Sequence, residues 1–319
     1  MAKRRSNAYY LLEYAAFRVI ETVVRILPIG IALWVALAGG RLWMLFDKRH
    51  WRIAEDNLRL AFGDTISDER RRQIVRGSLE HFAMMAVEIM KFDQVIQRHN
   101  WRDYIDFQHS EHLFDVLARG RGAVEATGHL GNFELSSYFF NLTRPSMMAV
   151  GRRLNNPYVD AHFWALRKHM GERVINKRGG LKRMALALRQ GDCIGFVADQ
   201  DAGRSGAFAD LFGTKASTYS SFAALALMMK VAIVPGYCCR VGHPMKYRLY
   251  LDRPIEPVDT GDRERDILAI VQEFNRRLEK YVREFPEQWL WSHRRWKTRP
   301  PEERAQAQNA TAEPVAAGR

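Results

Sequence analysis

The chain has 319 residues, 47% of them hydrophobic and 27% charged, with a formal net charge of +13. That length and apolar content give ample material for a core and exclude a fibrous or disordered chain. The charge calls for an anionic partner, whether nucleic acid, an anionic membrane surface or a phosphorylated substrate, and by itself does not choose among them.

Across residues 9–27, Leu12, Ala16, Val19, Val23 and Ile26 share one stripe while Arg18, Glu21, Thr22 and Arg25 share another, the period of an amphipathic helix that Pro28 ends. Residues 29–40 are almost wholly apolar. With Ile26 and Leu27 they make about 15 residues, roughly 22 Å of helix against a bilayer core of about 30 Å. A snorkelling Arg41 and residues 42–46 extend the run to a membrane anchor. Ala36-Leu37-Ala38 mimics a signal-peptidase site, but Glu13, Arg18, Glu21 and Arg25 make the preceding stretch too long and too charged for a signal peptide. Cations flank both ends, which leaves the orientation open. Residues 1–46 are thus read as an anchoring region, with a buried soluble hairpin as the alternative.

Gly63-Asp64-Thr65 is a turn, and Ser67 caps a helix over about 68–91 with Ile74, Ser78, Phe82, Ala86 and Ile89 on one side. From Gly122 short apolar runs at 123–127, 147–150, 174–175, 193–198 and 231–237 alternate with helical segments at 133–140, 157–170, 181–189 and 220–230. The alternation predicts an α/β fold, a central mostly parallel mixed sheet flanked by helices, over a catalytic domain at 47–299. His243-Pro244 joins strands at 234–240 and 247–251 as a hairpin, residues 266–284 form a last amphipathic helix, and the tail at 300–319 reads as disordered. Cys193, Cys238 and Cys239 lie in strand-like surroundings without metal-ligand spacing, as buried thiols do in a reducing compartment. No metal site is expected.

Chemistry concentrates at Gly128-His129-Leu130-Gly131-Asn132-Phe133-Glu134. Positions i and i+5 of one helix sit roughly 140° apart, so His129 and Glu134 meet only if His129 precedes the helix in a turn. Gly128 and Gly131 permit that turn, Asn132 caps the helix, and Glu134 in its first turn points back toward the imidazole. A carboxylate on one ring nitrogen leaves the other free to take a proton from a hydroxyl, which suits direct transfer of an acyl group to an alcohol. Backbone donors near Gly131 and Asn132 are candidates for stabilising the developing oxyanion. Arg152, Asn156, Asp199 and Gln200 follow predicted strands, where an open α/β sheet binds its ligands. Residues 286–297 mix tryptophan with arginine and suit either nucleic acid or a lipid headgroup boundary.

These blocks, in this order, resemble the bacterial lipid A late acyltransferases of the lysophospholipid acyltransferase superfamily. The likeness rests on His129 to Glu134, Arg152 to Pro157, Asp199-Gln200, Phe212-Gly213 with Ala216 and Thr218, Val234-Pro235, and Glu287-Gln288-Trp289 with Arg294-Arg295-Trp296-Lys297. It spans residues 27–301. It implies that His129 and Glu134 are catalytic and that Arg152, Asn156, Asp199 and Gln200 bind substrate. No cofactor is implied beyond an acyl-acyl carrier protein or acyl-coenzyme A co-substrate. The implied partners are acyl carrier protein, an anionic phosphorylated glycolipid acceptor and the membrane, not nucleic acid, at the cytoplasmic face of the inner membrane. Glu125 in an otherwise apolar strand and the second arginine at Arg153 depart from the more familiar members. Phosphatidylinositol mannoside acyltransferases look similar but carry aspartate at the position of Glu134. A lysophospholipid or another glycolipid is the alternative acceptor, and a non-catalytic nucleic-acid or carrier-protein adaptor is the alternative of another class.

Overall fold

The first helix starts and stops on polar groups supplied from outside it. In the computed structural model, which describes residues 6–143, 147–151, 153–169, 171, 173–176, 179–242 and 245–304, α1 (Asn7–Ile26) begins where the Ser6 hydroxyl accepts the Tyr9 N–H. At its other end the carbonyls of Val24, Arg25 and Leu27 accept from the Lys91 ammonium at 3.0, 3.0 and 2.9 Å. Those carbonyls lack partners within the helix, so a buried cation there both satisfies them and answers the helix dipole. α2 (Ile29–Phe46) follows Pro28, and α3 (Lys48–Phe62) follows Asp47, whose carboxylate accepts the His50 N–H.

The amphipathic period of α1 is the expected one, but its orientation is the reverse of a soluble helix. Part of the polar stripe faces the protein, with Glu21 buried against His162 and Arg25 paired to Asp93 at 2.8 Å, while Arg18 and Thr22 are exposed together with Leu12, Val19, Val23 and Ile26. α2 adds exposed Trp34, Leu42, Trp43, Leu45 and Phe46, and its 18 residues are long and apolar enough to cross a membrane. Contiguous apolar surface of that kind marks a lipid or protein contact.

α4 (Asp68–Val95) is capped by Ser67, as the sequence predicts, and continues beyond the expected end. Its buried stripe runs through Ile74, Ser78, His81, Met85, Glu88 and Phe92, so Ile74 and Ser78 face inward as expected, whereas Ala86 is exposed and Phe82 and Ile89 are only partly covered. The inward face is turned because His81 and Glu88 are buried on polar partners, His81 on the Gly131 carbonyl and Glu88 on Arg240 and Asn132.

Beyond α4 the chain forms β1 (Ile105–Gln108), α5 (Glu111–Ala118), β2 (Ala123–Thr127), α6 (Phe133–Thr143), β3 (Met147–Gly151), α7 (Pro157–His169), β4 (Arg173–Asn176), α8 (Leu181–Arg189) and β5 (Cys193–Val197). There follow β6 (Ala207–Leu211), β7 (Thr214–Thr218), α9 (Ser221–Met229), β8 (Ile233–Arg240), β9 (Tyr247–Leu251) and α10 (Arg263–Glu284). The main sheet has the order β1-β9-β8-β2-β5-β3-β4, parallel throughout except where β8 and β9 run antiparallel. This is the mostly parallel mixed sheet with flanking helices that the alternation predicts. The His243-Pro244 turn lies outside the described residues, though the two strands it joins pair as expected.

Two elements differ from the sequence reading. Residues 207–218, to which the sequence reading gave no element, form an antiparallel hairpin, β6 with β7, that ends on Ser217 and Thr218. Those two side chains are buried, with Ser217 Oγ donating to the Gly203 carbonyl at 2.6 Å. β1 and α5 were not anticipated; β1 has a single fully buried position, Ile105, and its pairing comes from the distant β9. Cys193, Cys238 and Cys239 are free and buried, as expected.

Candidate active site

Parallel strands end at one edge of a sheet, and the loops after β2 and β5 meet there. Thr127 is in register with Val197, and two residues further along each chain stand His129 and Asp199. Asp199 Oδ1 lies 2.6 Å from His129 Nδ1, while Oδ2 accepts the His129 backbone N–H at 2.8 Å and the Trp289 indole N–H at 2.7 Å. Burial works to raise the Asp199 carboxyl, but the neighbouring imidazole and these donors outweigh it and hold the group at about 2. Asp199 is therefore ionised at neutral pH and places the imidazole proton on Nδ1, leaving a lone pair on Nε2. Gln200 Nε2 sits 3.2 Å from that nitrogen, the donor such a lone pair calls for.

Glu134 does not reach the imidazole as the sequence spacing predicts. The first turn of α6 sends its carboxylate to Arg167 of α7, whose Nη2 lies 2.7 Å from both oxygens, and Nδ1 is already taken by Asp199. The partner of His129 thus comes from the neighbouring strand, at a residue expected to bind substrate. Glu134, Arg167, His129 and Gln200 nonetheless line one cavity of about 540 Å³. Its walls are largely apolar, with Met147, Phe163, Trp164 and Phe196 among them, and its size suits a small-molecule or acyl ligand.

The turn after His129 is pinned from three sides. Gly131 has φ +62°, donates its N–H to the Gln288 carbonyl at 3.0 Å, and accepts from His81 Nε2 at 3.1 Å. Burial pushes His81 down to about 4, so it stays neutral and donates from that nitrogen. Asn132 caps α6 as predicted, its Oδ1 accepting the Leu135 N–H, and its Nδ2 donates to Glu88, which is ion-paired with Arg240. The Asn132 N–H goes to the Cys238 carbonyl at 2.7 Å. Gly131 and Asn132 therefore shape the turn, but the expectation that their N–H groups stabilise an oxyanion is not met, because both are spent on the fold. A Cβ at Gly131 would overlap the Cys238 carbonyl. Gly131→Ala is expected to cost at least ~3 kcal/mol, read in thermal denaturation as a Tm lower by roughly 6–12 °C.

Asn156 also departs from its expected role. Its Oδ1 accepts the Tyr158 and Val159 N–H groups at the start of α7, and its Nδ2 donates to the Tyr10 carbonyl and to Glu13 of α1. With every polar atom engaged it fastens α1 to α7 and does not line the cavity. Arg152 lies outside the described residues. Arg153 Nη1 pairs with Asp160 at 2.9 Å, and its guanidinium stacks over Trp164.

The tryptophans of this segment and Arg295 are internal rather than a nucleic-acid or headgroup surface, while Arg294 and Lys297 are exposed. Trp289, Trp291, Arg295 and Trp296 are buried, the indoles packing with Phe212. Arg295 donates to the Ser217 carbonyl and to Thr218 Oγ1, both at 2.6 Å. Leu290 N–H bonds the His129 carbonyl at 3.1 Å, so this segment braces the histidine turn while Trp289 holds Asp199. Among the described residues no group of three or more His, Cys, Asp or Glu is placed to hold a metal ion.

Comparison with known proteins places relatives alongside this geometry. The model of the bacterial lipid A biosynthesis acyltransferase family matches residues 2–298. The chain is 29% identical over 303 residues to a lipid A biosynthesis lauroyltransferase of Escherichia coli (strain K12), covering 91% of this chain and 93% of that one. It is 27% identical to a lipid A biosynthesis palmitoleoyltransferase of the same strain, covering 86% and 87%. A phosphatidylinositol mannoside acyltransferase of Mycolicibacterium smegmatis is 25% identical, covering 70% and 72%.

Proposed function

Because the chain belongs to the bacterial lipid A biosynthesis acyltransferase family and is an acyltransferase, we propose that it moves a fatty acyl group from a thioester donor to a hydroxyl of a lipid A precursor. The observation that carries the reading is the His129 and Asp199 pair, side by side at the edge of the sheet and opening on an apolar cavity. The acceptor hydroxyl displaces the Gln200 amide from His129 Nε2 and gives that nitrogen its proton as the oxygen attacks the thioester carbonyl. Collapse of the tetrahedral intermediate forms the ester and breaks the carbon–sulfur bond, and the imidazolium returns the proton to the leaving thiolate. Asp199 keeps the tautomer correct and stabilises the transient imidazolium.

Glu134 belongs to this site as the partner that fixes Arg167 in the cavity wall, from where the guanidinium can meet a carbonyl or phosphate oxygen of the substrate. The released Gln200 amide is placed to donate to the developing oxyanion, and Arg152 is assigned to substrate oxygens. No resident cofactor enters; the thioester is a co-substrate. Acyl carrier protein is the proposed donor, an acidic partner for a chain of charge +13. The exposed apolar faces of α1 and α2 are assigned to the cytoplasmic face of the inner membrane, beside an anionic phosphorylated acceptor.

A glycolipid other than lipid A is the second reading, favoured by the phosphatidylinositol mannoside acyltransferase relative. The adaptor reading loses its aromatic support, since Trp289, Trp291 and Trp296 are buried, and the basic charge that remains serves an acyltransferase equally well. The test is incubation of the purified protein with acyl-acyl carrier protein and either a lipid A precursor or a mannosylated phosphoinositide. A mass gain of one acyl group on the lipid A precursor alone is expected. Acylation of the mannolipid alone, or unchanged lipid A in a deletion strain, overturns the acceptor assignment.

A further inference from the structure

Glu125 is a carboxyl side chain in the middle of the central sheet, and the neighbouring strands are built around it. It lies on β2 between β5 and β8, in register with Gly195. A Cβ at Gly195 would stand 3.2 Å from Glu125 Oε2, and one at Gly236 would stand 2.6 Å from Oε1. Both glycines leave room that a larger residue would fill. Among the described residues one hydrogen bond reaches the carboxyl, from Ser136 Oγ at 3.1 Å.

Residues alternate across a strand, so Glu125, Thr127 and His129 share a face, and all three line the cavity beside the imidazole. Glu125 is 3% exposed and stands two same-face positions deeper than His129, roughly 13 Å along the strand at about 3.3 Å per residue. Ser137 Oγ also lines this cavity, buried and without a hydrogen-bond partner. The one cavity is therefore lined by a proton-accepting nitrogen at the sheet edge and, deeper along β2, by a buried carboxyl, with the Ser137 hydroxyl a further buried polar group on its wall. An extended hydrocarbon advancing about 1.3 Å per carbon, as ~1.5 Å bonds zigzag, covers that distance with about ten carbons.

Building on the acyltransferase reading, we propose that Glu125 and Ser137 form a polar stop at the inner end of the acyl pocket and so set the chain length the enzyme accepts, at about ten carbons beyond the reacting carbonyl. A methyl group driven further would have to displace a buried carboxyl from its hydrogen bond and leave it unpaired. Burial raises the Glu125 carboxyl to about 8, against the smaller pull of Ser136, so the stop is protonated at neutral pH and becomes charged above that value. The titratable groups beside it are the thiols of Cys193 on β5 and Cys238 on β8, both raised by burial and protonated across this range. Further along the same cavity stands the Glu134 and Arg167 ion pair.

The experiment compares kcat/KM for saturated acyl thioesters stepped by two carbons, using the full chain and its Glu125→Ala and Glu125→Gln variants. Glu125→Ala is expected to move the optimum two or more carbons longer, with a relative gain of roughly 10-fold or more for the longer chain. Glu125→Gln keeps the wild-type profile at pH 7. Above pH 8 the wild type loses kcat/KM for its longest accepted chain and Glu125→Gln does not. An unchanged profile in a folded Glu125→Ala overturns the assignment. If that variant does not fold, identical pH dependence of wild type and Glu125→Gln for long chains overturns it instead. Failure of the wild type to use any donor is a different outcome, and it removes the acyltransferase reading together with this one.

Discussion

His129→Ala lowers kcat by about 10²–10⁴-fold with little change in KM, the usual consequence of deleting a general base. Among the described residues the imidazole is the one group lining the cavity that combines a fixed tautomer with a nitrogen free to take a proton. Its removal leaves the backbone N–H of residue 129 bonded to Asp199, the carbonyl bonded to Leu290, and the turn pinned through Gly131 and Asn132. The variant should therefore fold, and thermal denaturation run beside the assay checks that it does. Asp199 loses one of the partners that hold it near 2, but keeps the Trp289 indole and the backbone donor. Retention of wild-type rate by a folded His129→Ala would exclude proton abstraction by this residue.

What could be read from the chain alone was local. The bounds of β2 and α8 follow from an apolar run and an amphipathic period, and Ser67, Asn132 and Pro157 mark helix starts because caps act within a few residues. The site needed information of another kind. His129 and Asp199 are neighbours because β2 and β5 are adjacent and in register, and neither fact leaves a periodicity to find. The spacing of His129 and Glu134 suggested a local pair; Arg167, on the next helix, took the Glu134 carboxylate instead. A better signal lay in the two strands themselves. A polar residue two positions past the end of β2 and a carboxylate two positions past the end of β5 are what parallel neighbours bring together.

The same lesson holds where charge was read as surface. Arg295 and the indoles around it serve the core: the Trp289 indole donates to the Asp199 carboxylate, the Trp291 indole to the Pro286 carbonyl, and Arg295 to the Ser217 carbonyl and Thr218 Oγ1. α1 reverses the case: Glu21 of its charged stripe is buried and Arg25 is half-buried, while Leu12, Val19, Val23 and Ile26 are exposed. Burial of a polar residue depends on whether the fold supplies a partner: Glu21 gains His162, Asp93 gains Arg25 and Asn156 gains the Tyr10 carbonyl, each from more than sixty residues away, beside local partners at Arg18 for Glu21 and at the Tyr158 and Val159 N–H groups for Asn156.

Asp199→Asn is expected to lower kcat by about 10³–10⁴-fold, through the tautomer rather than through packing. In the wild type both Asp199 oxygens accept: Oδ1 from His129 Nδ1–H, Oδ2 from the His129 N–H and the Trp289 indole. An asparagine of the same shape must turn its NH₂ toward one of these places. At the Oδ2 position it would confront two donors, so the amide carbonyl takes that place and the NH₂ faces Nδ1. Nδ1 must then accept, the ring proton moves to Nε2, and the nitrogen facing the cavity can no longer take a proton. Glu134→Gln acts elsewhere, by loosening Arg167, and so leaves the tautomer alone. The pH dependence of kcat/KM separates the two. Loss of the Asp199 carboxylate removes a charge that favours the imidazolium, so the acid limb of the Asp199→Asn profile moves to lower pH as its rate falls. The acid limb of Glu134→Gln stays where the wild type has it. If the limb moves in Glu134→Gln and not in Asp199→Asn, Glu134 is the residue coupled to His129, and the pairing across β2 and β5 is not the catalytic one.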